Sequence, residues 1–320
     1  MDISVVIPLF NEEESLPELM DWIARVMDAN KFHYEVIMVD DGSTDSSWSV
    51  ICKLGEKYPQ VRGVRFQRNN GKSAALHVGF QRTRGRVVIT MDADLQDSPD
   101  EIPELYRMIV EDKYDLVSGY KAKRYDPITK TVPTKLFNAA TRWVSGIKNL
   151  HDFNCGLKSY RREVVKSVEV YGEMHRYIPV MAKAAGFPRI AEKVVEHRPR
   201  KYGVTKFGLN RFVRGFLDLI SIAFITRYMK RPMHFFGLWG MFFAIMGGST
   251  LLYLLVKKIL IMAGAISGGG IGGQVPALFF GSTSFLLGIL LLATGLLAEL
   301  IGRVSSTRND YQIAEEIGKG

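Results

Sequence analysis

Between Arg231 and Glu299 the only formal charges are Lys257 and Lys258, which leaves 235–256 and 275–298 as charge-free stretches of 22 and 24 residues. At a rise of about 1.5 Å per residue, each is long enough to cross a hydrocarbon core of roughly 30 Å, so two transmembrane helices are expected. A buried helical hairpin in a soluble domain is the alternative. It fits less well with a 320-residue chain that is 47% hydrophobic and has a mean hydropathy near zero, because the apolar excess is concentrated in this one region.

Flanking charge gives an orientation. Arg227, Lys230 and Arg231 precede the first span and Arg303 and Arg308 follow the second, so the positive-inside rule places both ends in the cytoplasm. Lys257 and Lys258 between the spans count against it. The chain begins MDISVVIPLF, with an acid at position 2 and no basic n-region; no signal peptide is expected, and everything before the first span should stay cytoplasmic. A net charge of +9 suits nucleic acid, an anionic membrane surface or phosphorylated substrates. With two spans present, the last two are the expected partners and nucleic acid is not. Cys52 and Cys155 are the only cysteines and provide neither a disulfide framework nor zinc-ligand spacing.

Ahead of the spans, apolar runs alternate with amphipathic ones. Strands are expected at 3–9, 34–39, 61–66 and 87–89, with a fifth at 115–118. Helices are expected after Glu14, through Trp48, Ile51 and Leu54, and from Lys72 through Phe80. Alternation with short loops makes a mainly parallel sheet covered by helices on both faces the economical α/β architecture. Ligands of such sheets gather at the carboxyl ends of the strands, where the polar clusters fall.

The sharpest cluster is RVVITMDADLQDSPDEIP at 86–103. Asp92 and Asp94 stand just past a buried strand, with Gln96 and Asp97 behind them and Pro99 opening the next helix. Two carboxylates this close repel one another and lose hydration unless a cation sits between them. Hard oxygen ligands suit Mg2+ or Mn2+, which then bind substrate phosphates. An acidic turn that merely caps the next helix is the plain alternative. Three other nucleotide-site readings fail. Gly71-Lys72-Ser73 resembles the end of a P-loop, but Phe66 stands where the first glycine belongs. Gly268, Gly270 and Gly273 satisfy G-x-G-x-x-G only in the loop between the spans, and an aspartyl phosphatase would want Thr or Val at Gln96.

Four ordered motifs remain: PLFNEE at 8–13, VDDGSTD at 39–45, NNGKSAAL at 69–76 and MDADLQDSPDEIP at 91–103. Together they resemble the inverting family 2 glycosyltransferases of the GT-A fold, and specifically the polyprenyl-phosphate glycosyltransferases such as dolichol-phosphate mannose synthases and bactoprenol glucosyltransferases. The resemblance implies a Rossmann-like GT-A catalytic domain at 1–208, interfacial amphipathic helices at 209–231, two transmembrane helices within 232–304 and a cytoplasmic tail at 305–320. It implies that Pro8, Phe10, Glu12, Asp41, Ser43, Lys72 and Asp92 bind the nucleotide sugar. Asp92, Asp94 and Gln96 would hold the metal. A solvated first-turn lysine is the plain reading of Lys72.

Downstream, Asp152 in HDFNCGLKSYRRE at 151–163 is the implied catalytic carboxylate, with a loop acid that caps the turn to Cys155-Gly156 as its alternative. A phosphate monoester is largely deprotonated at neutral pH and needs positioning more than a base. Lys121, Arg124, Arg142, His175, Arg176, Arg200 and Lys206 are implied to grip the acceptor phosphate. A basic strip drawn to anionic lipid is a second reading of the same charges.

The implied activity is inverting, metal-dependent transfer of one sugar from a UDP- or GDP-linked donor to polyprenyl phosphate at the cytoplasmic face of a bacterial inner membrane. A homo-oligomer and a flippase partner are implied as possible assemblies. The nearest rival is a processive polysaccharide synthase, disfavoured because no Q-x-x-R-W follows Asp152 and two spans are few for a polymer channel. A non-catalytic membrane scaffold of a glycan-assembly complex is the rival from another class. The intact Asp92, Asp94 and Gln96 argue against it.

Overall fold

Strand β1 (Ile3–Leu9) is buried along its whole length and pairs in parallel with β2 (Tyr34–Asp40) on one side and β4 (Val87–Thr90) on the other. Strands β2 and β4 are equally buried, which is why all three read as unbroken apolar runs and not as alternating ones. The computed structural model describes residues 1–122, 138, 141–142, 145–147, 149–196, 198, 232–265, 271–304 and 313–317. They form two compact units, Met1–Ala223 with Asn309–Gly320, and Phe224–Arg308.

The first unit holds one eight-stranded sheet in the order β7-β5-β6-β4-β1-β2-β3-β8. Strand β3 (Val61–Phe66) joins β2 in parallel, and β5 (Leu116–Tyr120) is parallel to β7 (Ile190–Val194). Strand β6 (Lys158–Arg161) runs antiparallel to both β4 and β5. Alternate residues of β1 and β2 feed two cores. Ile7 and Met38 pack with α1 (Leu16–Ala29), α2 (Ser47–Lys57) and α4 (Ile102–Val110) on one face. On the other, Ile37 and Val39 meet Ala74, Ala75 and Val78 of α3 (Lys72–Arg82). Short helices α5 (Arg162–Ser167) and α6 (Ile178–Ala184) complete this unit.

The expected α/β sandwich with a mainly parallel sheet is present, and three strands were not anticipated. Strand β6 escaped notice because KSYR has no apolar pattern, although Lys158, Ser159 and Tyr160 are all buried in it. The 305–320 region, expected as a plain tail, supplies β8 (Ile313–Ile317), antiparallel to β3. The interfacial helices expected at 209–231 lie outside the described residues.

The second unit is a hairpin of two long helices, α7 (Pro232–Met262) and α8 (Val275–Val304). Both carry windows apolar enough to cross a membrane. Helix α7 runs past the expected boundary at 256 and includes Lys257 and Lys258, since lysine and the leucines and isoleucines around it are adequate helix formers. Glycines recur at seven-residue spacing along the seam, at 240 and 247 on α7 and at 281, 288 and 295 on α8. A Cβ added at Gly288 would lie 2.6 Å from the Gly240 carbonyl oxygen, and one at Gly247 would lie 2.6 Å from that of Gly281. Small residues let two backbones approach this closely where lipid supplies no hydrophobic drive between helices.

Replacing Gly288 by Leu therefore forces the two backbones apart at a cost of about 1–3 kcal/mol. The expected result is a thermal unfolding midpoint in detergent lowered by several degrees, measured by fluorescence-detected size exclusion. Leu286→Ala, at a position 62% exposed on the same helix, should leave the midpoint unchanged.

Candidate active site

Because β1, β2 and β4 are parallel and in register, Leu9, Asp40 and Thr90 end at one edge of the sheet, and the loops that follow them meet there. Past Thr90 the chain keeps a period of two. Met91, Ala93, Leu95 and Asp97 are buried, whereas Asp92, Asp94 and Gln96 are half-exposed on the opposite side. Leu95 holds a left-handed backbone with φ of 61° and inserts into the core. A non-glycine residue in that conformation is strained, which marks the turn as one held in place by its surroundings.

A cleft of about 410 Å3 opens over this edge, and Pro8, Phe10, Glu12, Asp41, Lys72, Asp92 and Asp94 all line it. Seven residues chosen from four separate motifs thus converge on one cavity. Ser43 sits deeper: it is buried and its hydroxyl accepts the Asn11 N–H at 2.9 Å. Asp41 fastens the loop before α3, its two carboxylate oxygens accepting the N–H groups of Asn70 at 2.7 Å and Gly71 at 2.9 Å. Burial pushes the Asp41 carboxyl above its usual range, and those two donors work against the shift.

Lys72, the first residue of α3, makes an ion pair with Asp92. Burial penalises the Asp92 charge, but the Lys72 ammonium, helped by Lys121 and Lys158, outweighs it and holds the carboxyl down at about 2. Asp92 is thus an anion at neutral pH. Among the described residues no three His, Cys, Asp or Glu side chains form a ready-made cage. Two half-exposed carboxylates beside an open cleft still suit a hard divalent cation that completes its shell with water and substrate phosphate oxygens. Gln96 is half-exposed as they are, and its backbone carbonyl accepts the Arg198 N–H at 3.1 Å.

The loop from Leu150 to Leu157 passes beside the acidic turn and lines a separate, smaller cavity with Phe153, Asn154, Cys155 and Gly156. The Glu192 carboxylate on β7 organises it, accepting the N–H groups of His151 at 2.7 Å and Asp152 at 2.9 Å. Asp152 is buried, and its Oδ1 accepts the Asn154 N–H at 3.0 Å, so the turn-capping expected as its alternative is present. Gly156 then passes against Asp92, where an added Cβ would lie 2.5 Å from Oδ2. No larger residue fits there without displacing that carboxylate.

Of the basic residues expected at the acceptor, the four that are described do not form one group. Lys121 is paired with buried Asp97 at 2.8 Å; burial opposes its charge, and Asp97 nevertheless raises its pKa. Arg142 donates to the Leu150 carbonyl at 3.4 Å. His175 and Arg176 line that smaller cavity together with Lys158. Arg124, Arg200 and Lys206 lie outside the described residues. Asp97, Lys158 and Glu192 were missed as site residues. Asp97 had a usable signal in its place beside the acidic pair, but Lys158 and Glu192 reach the site only through strands that the sequence pattern did not reveal.

The family described as glycosyl transferase family 2 matches residues 4–169. The chain belongs to that family. This family 2 glycosyltransferase is 38% identical over 306 residues to the dodecaprenyl-phosphate galacturonate synthase of Rhizobium johnstonii, covering 95% of this chain and 88% of the relative. It is 35% identical over 310 residues to the undecaprenyl-phosphate 4-deoxy-4-formamido-L-arabinose transferase of Shewanella sediminis, with the same two coverages of 95% and 88%. Among solved structures, glucosyl-3-phosphoglycerate synthase from Mycobacterium tuberculosis in complex with UDP superposes with a TM-score of 0.54 at 21% identity, covering 70% of this chain and 79% of that one. The same enzyme with Mn2+, UDP-glucose and glycerol 3-phosphate gives a TM-score of 0.52 at 22% identity, with coverages of 70% and 79%. These likenesses show that the glycosyltransferase has the GT-A fold.

Since Asp41 alone ties down the two amides ahead of Lys72, Asp41→Ala should loosen this loop without unfolding the sheet. Losing a buried acceptor of two N–H bonds costs about 1–3 kcal/mol. The expected outcome is a nucleotide dissociation constant raised about tenfold or more in calorimetry, with an unchanged far-ultraviolet circular dichroism spectrum.

Proposed function

We propose that this enzyme transfers one sugar from a UDP- or GDP-linked donor to a polyprenyl phosphate at the cytoplasmic face of the membrane, with inversion at the anomeric carbon. The observation that carries the reading is the convergence of Asp92 and Asp94 with five other motif residues on one cleft, in a chain that also bears two membrane-length apolar helices. The printed names of the relatives, a dodecaprenyl-phosphate synthase and an undecaprenyl-phosphate transferase, support a lipid phosphate as acceptor.

Pro8 and Phe10 form the wall for the nucleoside, Glu12 stands beside them, and Asp41 presents its remaining lone pairs to the base edge. Ser43 supports that wall from behind. Asp92, Asp94 and Gln96 would hold Mg2+ or Mn2+, which when bound neutralises charge on the departing nucleoside diphosphate. Lys72 adds a mobile positive charge beside the diphosphate. The acceptor phosphate oxygen attacks the anomeric carbon in line, the bond to the nucleoside diphosphate breaks, and the configuration inverts. Asp152 holds the loop that positions the acceptor. The basic residues Lys121, Arg124, Arg142, Arg200 and Lys206 draw the lipid phosphate toward it.

The positive-inside count supports a cytoplasmic site. Strand β8, which follows the second span, shares a sheet with β1, so an even number of crossings separates them and both lie on one side. Self-association and pairing with a flippase are part of the same proposal.

Radiolabelled UDP and GDP sugars offered with short-chain polyprenyl phosphate in detergent, with and without Mg2+ or Mn2+, test it directly. One donor should give a metal-dependent lipid-linked product, and Asp94→Ala should lower the rate by about 100-fold or more, the scale seen when one transition-state charge contact is removed. No lipid-linked product from any donor, with nucleotide still bound, would overturn the reading in favour of a scaffold. A ladder of lengthening products would favour a processive synthase.

A further inference from the structure

The smaller cavity, lined by Gly156, Lys158, His175 and Arg176, shares Lys72 with the larger cleft. Antiparallel pairing sets Lys158 opposite Thr90, so the first residue of β6 arrives directly beneath the acidic turn. Its ammonium is buried and reaches only the Cys155 carbonyl. Among the described residues it has no carboxylate at ion-pair distance. Arg176 has a single long ion pair, 3.8 Å from Glu173, and its buried Nε has no hydrogen-bond partner. His175 adds no charge, because burial and then Lys72, Arg176 and Lys158 drive its pKa well down, and its Nδ1 lies 3.1 Å from the Ser73 hydroxyl.

A buried guanidinium nitrogen with no acceptor and a buried ammonium held by one carbonyl are costly in a folded chain. Such an arrangement is retained where a ligand brings the missing charge. With the nucleoside in the larger cleft and the diphosphate at Asp92 and Asp94, the donor sugar extends past Lys72, toward this cavity. The void is small, about 10 Å3, room for roughly one oxygen atom. The planar edge of a carboxylate can enter it with a slight shift of the lining. A tetrahedral phosphate ester needs more room than that flat edge.

We propose that Lys158 and Arg176 form a subsite for a carboxylate on the donor sugar, so that the donor is a nucleoside diphosphate uronic acid. The inference rests on the reading of the larger cleft as the nucleoside diphosphate site. Arg176 offers a forked contact and Lys158 a point charge from below. Arg176 thereby moves from the acceptor side, where sequence resemblance put it, to the donor side, and Lys158 joins it there.

Calorimetry on the full-length protein in detergent with Mn2+ and no lipid separates the possibilities. The probes are UDP and GDP alone, UDP-galacturonate against UDP-galactose, UDP-glucuronate against UDP-glucose, and GDP-mannuronate against GDP-mannose. One uronate should bind about tenfold or more tighter than its neutral counterpart, the scale of a charge-assisted hydrogen bond. Arg176→Gln and, separately, Lys158→Met should each erase that gap, read as the ratio of uronate to neutral-sugar affinity within each variant. Equal affinity for every pair in the unaltered protein, or a gap that survives both substitutions, would overturn the proposal. So would an Arg176→Gln enzyme with unchanged donor preference and a raised KM for polyprenyl phosphate, which would give the cavity to the acceptor. Failure of both UDP and GDP to bind would strike the nucleotide-cleft reading itself, and this inference with it.

Discussion

Parallel pairing of β1 with β2 and with β4 sends three chain reversals to the same edge of one sheet. Everything at the site depends on that edge. The strands are buried on both faces, so their side chains are committed to packing and cannot serve a ligand. Only the residues just past Leu9, Asp40 and Thr90 are free to do so, and the motifs begin there. Slipping β4 by one residue against β1 would exchange the faces of Asp92, Asp94 and Gln96 with those of Met91, Ala93 and Leu95. The apolar set buried in the core excludes that slip, which is how core packing holds the carboxylates in the cleft.

Charge balance is the second constraint. The acidic turn is matched from three sides, by Lys72 at the start of α3, by Lys121 through Asp97, and by Lys158 on β6. These cations lower the cost of holding Asp92 ionised away from bulk water, and they come from elements far apart in the chain. Asp92, which with Asp94 would hold a divalent cation, is the carboxylate that Lys72 pairs with here. The strained Leu95 backbone belongs to the same economy: the turn is kept in an unfavourable conformation because its apolar side chain is anchored in the core while its neighbours face the ligand.

Much of this was legible in the residues alone, and the division follows physical lines. The first four strands announce themselves as apolar runs closed by polar clusters, and those clusters mark the cleft directly. The two charge-free stretches announce the helical hairpin by length, though not its seam, which rests on glycines seven residues apart whose meaning appears only when two backbones are seen to touch. Strand β6 was hidden because a strand in the middle of a sheet usually carries apolar residues, and here Lys158 and Ser159 occupy it. Asp152 stood out as an acid in a loop, yet sequence could not separate catalysis from capping. Its contact with the Asn154 amide is a capping contact and leaves the catalytic reading a proposal, while Glu192, from a strand forty residues on, fixes the loop.

Strand β8 ties these parts together. Without it β3 would end the sheet as an open edge, with a row of unpaired backbone groups inviting intermolecular pairing. Ile313 pairs with Phe66 and Ile317 with Gly63, with a register shift between Arg65 and Phe66, so the returning chain meets β3 at its carboxyl end, the end from which the Asn69–Gly71 loop departs toward Asp41. The sheet edge nearest the nucleotide cleft is therefore closed by the segment that follows the second span. A chain that is cut after α8 loses the cover of β3, and the loop that Asp41 fastens then springs from an exposed edge. The apolar hairpin and the cleft are in this way parts of one connected chain path, whose last strand pairs with β3.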